Sequence, residues 1–187
     1  MDVGVLSVRY AKALIGFAIE KGVEETVYNS CKQVASSFRK EEKLRAALDN
    51  PILSIDEKMN LIKAAADSKG EPCEEYVRFA RLVLKHRREG YLEFISLMYL
   101  DLYRKYRHVG VAKLITAIPV DKQVEDKIKT TSQRVLHTTD MELETVVDKE
   151  IEGGFIFDVN DYRLDASVAT QLKRIKQQFI ERNRRIV

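Results

Sequence analysis

The sequence feature that most constrains the fold is a change in the spacing of apolar residues near Gly110. Before it, apolar side chains recur at intervals of three and four residues, as in the segment VRYAKALIGFAIEKG that begins at Val8. This spacing is the period of an amphipathic helix. After it, β-branched residues alternate partly with polar ones, as they do in strands. The sequence therefore predicts a helical region over residues 1–108 and a mixed region over residues 109–187.

Signals that start and stop helices divide the first region into six segments. Gly22 follows the first helix, and Pro51 ends the third because its ring disfavours helix in the preceding residue. Ser54 and Glu57 form a capping-box pattern at the start of the fourth helix, which is expected to stop near Gly70. Six helices with short connections predict a compact bundle. The sixth helix is expected to bury the stripe Tyr91, Ile95, Met98, Leu102 and Tyr106.

The second region mixes strands with helices. VAKLITAIPV and FIFDV have strand character, and MELETVV alternates as a half-exposed strand does. Between VAKLITAIPV and MELETVV the chain is helical, with Val124, Ile128 and Val135 expected to face inward. After a turn at NDY, a final helix is expected to pack back on the sheet through Val168, Leu172, Ile175 and Phe179. The predicted fold class is mainly α: a six-helix bundle followed by a small α/β (α+β) module.

Gly153 and Gly154 precede the strand FIFDV and raise the question of a phosphate site. A P-loop needs GxxxxGK[ST], and a dinucleotide fingerprint needs GxGxxG between a strand and a helix; neither spacing occurs here. The loop that leads to the final helix carries carboxylates, which would repel phosphate. The pair therefore predicts a turn or bulge that needs positive φ. Asp165 is expected to cap the final helix by accepting an N–H bond from Ser167 or Val168.

Patterns for catalysis or metal binding are lacking in the sequence. His86, His108 and His137 have no partner at ligand spacing, and no HExxH or paired CxxC occurs. No Ser-His-Asp or Cys-His arrangement stands out among scattered candidates. We therefore predict no catalytic residue, no cofactor site and no metal site. A small hydrolase or transferase is an alternative, which would need residues with shifted pKa values converging in a pocket.

The charge distribution keeps a nucleic-acid-binding function open. The net charge is +3, and basic clusters occur in KHRREG at 85–90 and ERNRRIV at 181–187. Such clusters can release counterions from phosphates, although cations are also favourable at helix C-termini. Tryptophan and the aromatic-plus-basic strand motif of RNA-recognition modules are absent from the sequence. This alternative is a small basic helical nucleic-acid-binding adaptor.

The sequence also bears on the compartment. No segment approaches the roughly 18 uncharged apolar residues that span a membrane, and the N-terminus lacks the pattern of a secretory signal. Cys31 and Cys73 form no CxxC pair, which suits a reducing compartment. We expect a cytosolic protein with buried thiols and without direct membrane insertion.

Three segments resemble the delta subunit of bacterial and chloroplast F-type ATP synthases, the family of the mitochondrial oligomycin sensitivity-conferring protein. RYAKAL at 9–14 is similar to the start of that family's first helix, and LKHRREGYLEFISLMYLDLY at 84–103 to the junction of its fifth and sixth helices. The most specific segment is a GG pair, an apolar strand, D-x-x-[IL]-D-x-S and an amphipathic helix, here Gly153, Gly154, Asp161, Leu164, Asp165, Ser167, Leu172 and Ile175. The chain departs from the family at His86, where asparagine is frequent, and at Ala166, where glycine is common.

The resemblance implies a non-catalytic stator subunit of a proton-translocating F-type ATP synthase. In that family the bundle, here 1–108, grips the N-terminal segments of alpha subunits on top of the catalytic head. The small module, here 109–187, holds the end of the peripheral-stalk b subunit, so that rotor torque is coupled to ATP synthesis. The implied location is the cytoplasmic face of the bacterial inner membrane, as a peripheral component of the complex.

The resemblance also implies which residues contact each partner. For the alpha subunit, on the first and fifth helices, they are Tyr10, Ala13, Leu14, Phe17, Phe79 and Val83. For the b subunit they are Phe155, Leu172, Phe179, Arg182, Arg184 and Arg185. An ordinary core position is the alternative for each bundle residue, notably Leu14 and Val83. It is also the expected place of Phe155, Leu172 and Phe179.

Overall fold

The computed structural model describes residues 3–67, 72–136, 138–159 and 162–184. The chain divides into two compact units, Met1–Tyr106 and Arg107–Val187. The first holds α1 (Val3–Lys21), α2 (Glu24–Lys40), α3 (Glu42–Asp49), α4 (Ile55–Ala66), α5 (Glu74–Lys85) and α6 (Leu92–Arg107), which ends one residue beyond it. The second holds β1 (Val109–Thr116), α7 (Lys122–Leu136), β2 (Asp140–Val147), β3 (Phe155–Val159), β4 (Tyr162–Asp165) and α8 (Val168–Arg184). The predicted fold class is confirmed.

The predicted helix boundaries of the bundle follow from local chemistry. Gly22 has φ 67° and ends α1, as a left-handed residue does at a helix C-terminus. At the start of α4, Ser54 Oγ accepts from the Glu57 N–H at 3.3 Å, and Glu57 Oε2 accepts from the Ser54 N–H at 2.8 Å. The latter bond lowers the pKa of Glu57 below its ordinary value. The capping box is confirmed, whereas the predicted stop at Gly70 lies outside the described residues.

The buried face of α6 differs from the predicted stripe. Ile95 is buried as expected, but Tyr106 is exposed, and Tyr99 and Tyr103 are buried instead. The tyrosines can be buried because the bundle meets their polar and aromatic requirements. The Tyr99 hydroxyl donates to the Glu24 carbonyl at 3.0 Å. The Tyr103 ring stacks on the Tyr28 ring of α2, with centroids 4.3 Å apart.

The four strands of the second unit form one sheet in the order β2-β1-β3-β4. β1 and β2 are parallel and connected through α7, because a parallel pair needs a crossover; the other pairings are antiparallel. Ala112 lies opposite both Leu143 and Val159, so these side chains share one face. A small core of Ala112, Met141 and Val159 is buried there, and α7 packs against β2.

The two helices of this unit are less buried than predicted. On α7, Val124 and Val135 are exposed rather than inward, and Ile128 is half-buried. On α8 the predicted packing of the stripe is wrong, because Leu172 is 52% and Phe179 is 69% exposed. Residues 171–181 of α8 are all exposed. The contact that anchors the helix is with the short 3₁₀ turn at 149–151, near its first residues.

One strand was not predicted. β4 occupies Tyr162–Asp165, where the sequence indicated a turn and a capping loop, and its Arg163 pairs with Asp158 of β3 at 3.0 Å. The strand has four residues, too few to establish an alternation. Asn160 and Asp161 of the predicted turn lie outside the residues that the structure covers.

Candidate partner-binding surfaces

An apolar groove of about 510 Å³ runs between α1 and α5. We call it the bundle groove; its lining residues are Arg9, Tyr10, Ala13, Leu14, Phe17, Arg78, Phe79 and Leu82. The Tyr10 and Phe79 rings meet edge to face across it, with centroids 6.4 Å apart. It forms because α1 and α5 turn apolar positions towards each other without closing the space between them.

The structure brings together five of the six residues that the resemblance assigns to the alpha subunit. Tyr10, Ala13, Leu14, Phe17 and Phe79 all line the bundle groove. Leu14 is only 1% exposed and Phe79 8%, so both also belong to the bundle core. Val83 is fully buried and does not line the groove, which makes it an ordinary core residue.

Two arginines line the bundle groove, one on α1 and one on α5. Arg78 Nη2 lies 2.7 Å from Glu74 Oε1 one turn earlier on α5. Arg9 of α1 is exposed and has no hydrogen bond or ion pair within the part of the chain that the structure describes. Apart from these two arginines the lining is mainly apolar, and among the described residues Arg9 is the lining residue whose charge has no ionic partner.

A second groove, of about 530 Å³, lies between α7 and the sheet. We call it the module groove; its lining includes Leu114, Thr116, Val120, Val124, Ile128, Phe155, Phe157 and Leu164. Leu114 lies opposite Phe157, and Thr116 opposite Phe155, so one face of the sheet forms its floor. α7 covers this face over β2 and leaves it open towards β3 and β4.

The residues assigned to the b subunit lie on two surfaces of this unit. Phe155 lines the module groove and is 40% exposed. Leu172 and Phe179 lie on the exposed stripe of α8, so the expectation that these three are core residues is wrong. Arg182 and Arg184 belong to α8, but their side chains, like all of Arg185, lie outside the described residues.

The glycine pair makes a close approach between two backbone segments. Gly154 has φ 73°, and a Cβ there would lie 2.3 Å from the Ala166 carbonyl oxygen. The Val168 N–H donates to the Gly153 carbonyl at 3.0 Å, which attaches the first residue of α8 to this turn. The predicted turn that needs positive φ is confirmed, and its purpose is to bring the start of α8 against β3.

Asp165 organises the start of α8 from just outside the helix. Its carboxylate accepts from the Ser167 N–H at 2.9 Å and hydroxyl at 2.6 Å, and from the Thr170 hydroxyl at 2.9 Å. The Ser167 and Thr170 hydrogen bonds lower the pKa of Asp165. The predicted bond to Ser167 is confirmed, but Asp165 is the last residue of β4, and Ser167 Oγ is the group that accepts the early helical N–H of Thr170, at 3.3 Å.

Several lining residues were missed in the sequence. Leu82 follows Phe79 at helical spacing, so its place in the bundle groove had a signal. Arg9 and Arg78 had none, because a single charge in a helix looks like solvated surface. In the module groove, Leu164 was missed together with β4.

Other chemistry in the described ranges is sparse. No group of three or more histidine, cysteine or acidic residues there could hold a metal ion. Cys31 is buried, which raises the pKa of its thiol, and Cys73 is half-buried. Among the helices over these ranges, none is both long and apolar enough to cross a membrane.

Comparisons with known proteins converge on one family. A family model described as ATP synthase delta (OSCP) subunit matches residues 6–179. The proteins named ATP synthase subunit delta from Bacteroides thetaiotaomicron and Phocaeicola vulgatus are 63% and 49% identical, each over the full length of both chains. A chain in a cryo-EM structure of the Toxoplasma gondii mitochondrial ATP synthase hexamer has a TM-score of 0.68 at 21% identity, covering 94% of this chain and 97% of that one. The last likeness concerns the fold. The comparisons give no support to the nucleic-acid-binding alternative.

Proposed function

The chain belongs to the ATP synthase delta (OSCP) subunit family, and on that premise we propose that it is a non-catalytic stator subunit linking the catalytic head to the peripheral stalk. In this proposal the bundle groove binds the N-terminal segment of an alpha subunit. The second unit binds the end of the b subunit. The protein works as a peripheral component at the cytoplasmic face of the bacterial inner membrane.

The observation that carries the proposal is the bundle groove. It is an open, mainly apolar channel between two helices, and it lies directly beside the bundle core. Such a channel takes the apolar face of an amphipathic helix, which anchors through side chains at i, i+3 or i+4, and i+7. Tyr10 and Phe17 are seven residues apart on α1, so the lining itself repeats over two helical turns.

The second unit supports a separate contact. The module groove and the α8 stripe both present exposed apolar side chains, and Ile175 of the stripe is 58% exposed. Contiguous exposed apolar surface marks interaction sites in soluble proteins. A stalk helix seated there would bury side chains that this chain alone leaves in water.

Ionisable groups with shifted pKa values support a binding rather than a catalytic role. Among the described carboxylates, Glu57, Asp140 and Asp165 have a lowered pKa, and in each case hydrogen bonds to residues at the start of a helix or strand lead the causes. None of the three lines the bundle groove or the module groove. Their chemistry is explained by capping and turn formation.

A connector that resists rotor torque needs firm attachment at both ends. A nanomolar contact corresponds to about −12 kcal/mol. Apolar burial contributes roughly 25 cal/mol per Å² before the cost of ordering the partner helix. Two separate apolar sites on one chain suit this requirement.

The alpha-subunit contact is tested by titrating the full chain with the N-terminal peptide of the alpha subunit from the same synthase. Ala13 is exposed and lines the bundle groove, so Ala13→Trp fills the groove without disturbing the core. We expect saturable binding by the parent chain and at least a tenfold loss in Ala13→Trp. Ala64→Trp, at an exposed position of α4, is the matched control and should bind normally. Binding that is absent from the parent chain, or unchanged in Ala13→Trp, contradicts the assignment.

The stalk contact is tested with the C-terminal segment of the b subunit. Phe179→Glu places a charge in the α8 stripe, whereas Gln177→Glu places the same charge on the other side of the exposed helix. We expect Phe179→Glu to weaken binding and Gln177→Glu to leave it within about threefold. If the two changes weaken binding equally, the α8 stripe is not part of the b-subunit site.

A further inference from the structure

We propose that the bundle groove selects an amphipathic helix with a carboxylate beside its apolar anchor, and that Arg9 is the residue that makes this selection. The inference rests on the proposed function, because it specifies the chemistry of the alpha-subunit segment that occupies the groove. It assigns to Arg9 a role in specificity that the apolar lining cannot supply.

The two arginines of the groove are sequence neighbours of the aromatic pair that meets across it. Tyr10 and Phe79 meet edge to face across it, and Arg9 and Arg78 immediately precede them on α1 and α5. Both arginines line the groove from opposite walls. An occupant whose apolar anchor packs on the Tyr10–Phe79 pair therefore places its neighbouring residues beside Arg9 and Arg78.

The charges of the two arginines are not balanced to the same extent. Glu74 lies 2.7 Å from Arg78 and offsets its charge within α5. Arg9 has no hydrogen-bonding or ionic partner in the described ranges. The groove therefore presents one uncompensated positive charge, and it belongs to α1.

The surroundings of Arg9 make this charge effective. The lining is otherwise mainly apolar, and a docked helix excludes water from it, so a charge–charge contact is screened less than on open surface. A guanidinium can hold a carboxylate through two parallel N–H bonds, which an amide or an ammonium on the occupant cannot reproduce. Arg9 is exposed in the free chain, so it stays hydrated until the groove is filled.

The lining predicts the pattern of the occupant. Tyr10 and Phe17 are separated by seven residues, or about 10.5 Å along α1. A helix that follows this length places apolar anchors at i, i+3 or i+4, and i+7. The carboxylate belongs within one turn of the anchor that packs on Tyr10 and Phe79.

The experiment measures binding of the full chain to the N-terminal peptide of the alpha subunit of the same synthase, about 20 residues long. A second peptide has each carboxylate next to an apolar anchor changed to its amide, and a third has it changed to lysine. The protein variants are Arg9→Glu and the matched control Lys12→Glu, which makes the same charge change at an exposed position of α1 outside the groove lining.

We expect Arg9→Glu to weaken binding of the native peptide about tenfold at low salt, with a smaller loss at about 0.3 M salt, since surface charges are screened there. Lys12→Glu should change it less than about threefold. The amide peptide should bind the parent chain more weakly and discriminate little between the parent chain and Arg9→Glu. The lysine peptide should bind Arg9→Glu more tightly than the parent chain, because the positive charge is then on the peptide and the negative charge on the protein.

The outcomes separate the inference from the proposed function. Native-peptide binding that Ala13→Trp abolishes but Arg9→Glu leaves within twofold overturns the inference and retains the groove as the alpha-subunit site. Equal losses in Arg9→Glu and Lys12→Glu also overturn it, because the effect is then general electrostatics. No binding of the native peptide to the parent chain overturns the proposed function together with the inference.

Discussion

The two units of the chain differ in how far each one covers its own apolar surface. In the first unit, six helices enclose a continuous core, and the bundle groove is a confined opening in its wall. In the second, the buried apolar residues among those described are few, and one face of the sheet lies half open beside α7. Among the described residues, the first unit therefore covers most of its apolar side chains itself, whereas the second leaves an apolar sheet face and the α8 stripe accessible.

The last helix shows the contrast most clearly. α8 has 17 residues and an apolar stripe, yet the stripe faces solvent. Most helical stability in proteins comes from tertiary packing of an amphipathic face rather than from intrinsic helix propensity. α8 is held at its first turn by Ser167 and Asp165, whereas its residues 171–181 are exposed.

The largest effect that separates the two units comes from a matched truncation of isoleucine. Ile95 is fully buried in α6, and Ile175 is exposed on α8. Ile95→Ala should lower the free energy of unfolding of the bundle by about 2–5 kcal/mol. Ile175→Ala should change stability by no more than about 0.5 kcal/mol. Chemical denaturation followed by circular dichroism measures both, and a large loss in Ile175→Ala would show that α8 is packed in solution.

The next effect compares helix caps. Ser54 accepts from a third-position N–H in α4, and Ser167 does so in α8, both at 3.3 Å. Ser54→Ala should destabilise the bundle by about 1 kcal/mol, since α4 unfolds with its core. Ser167→Ala should instead fray α8 locally, which amide hydrogen exchange detects as faster exchange confined to that helix. Global destabilisation by both changes would mean that α8 is part of a cooperative core.

A smaller effect, of opposite sign, comes from two residues in the left-handed region. Arg87 has φ 51° at the end of α5, and Glu152 has φ 60° before the glycine pair. Glycine adopts this conformation without the Cβ penalty, so Arg87→Gly should stabilise the bundle by about 0.5–1 kcal/mol. Glu152→Gly should stabilise the second unit and leave the stability of the bundle unchanged. Thermal unfolding measures the gain, and a loss of stability in Arg87→Gly would contradict the strain at that residue.

The smallest effect is a pH dependence at the two caps. The pKa of Asp165 is lowered by its bonds to Ser167 and Thr170, and that of Glu57 by its bonds to Ser54. A lowered pKa means that each contribution is present above the ordinary carboxyl value and is lost as pH falls through the folded value. NMR titration should show both carboxyls ionising below ordinary model values, with Asp165 returning towards them in Ser167→Ala. An unshifted Asp165 in the parent chain would contradict the hydrogen-bonded geometry.

Local chemistry explains which parts of the fold were predictable from sequence. The capping box at Ser54, the stop at Gly22 and the turn at Gly154 depend on a few neighbouring residues, and all three were predicted correctly. On α6 the predicted stripe was wrong at Tyr106, which is exposed, and it missed Tyr99, which is buried, because tyrosines are ambiguous in a periodic pattern.

The candidate sites were predictable to a different degree in the two units. The resemblance identified five lining residues of the bundle groove, but periodicity could not separate a groove from a core, since Leu14 belongs to both. On α8 the apolar stripe was predicted correctly, but the prediction that it is buried was wrong. An amphipathic pattern states that a helix face will be covered, and it does not state whether this chain or another one covers it.

One chain that holds the alpha and b subunits at once through separate sites can bridge them, and a bridging assay measures this. The b-subunit segment is immobilised, and capture of the labelled alpha-subunit peptide is measured with and without the full chain. We expect capture only when the chain is present. Ala13→Trp should reduce alpha-peptide capture at least tenfold while the chain still binds the b segment. Phe179→Glu should weaken binding of the chain to the b segment while alpha-peptide binding in solution is retained. Capture that survives both changes would contradict the proposal of two separate sites. The same holds if either change abolishes both contacts in a folded protein.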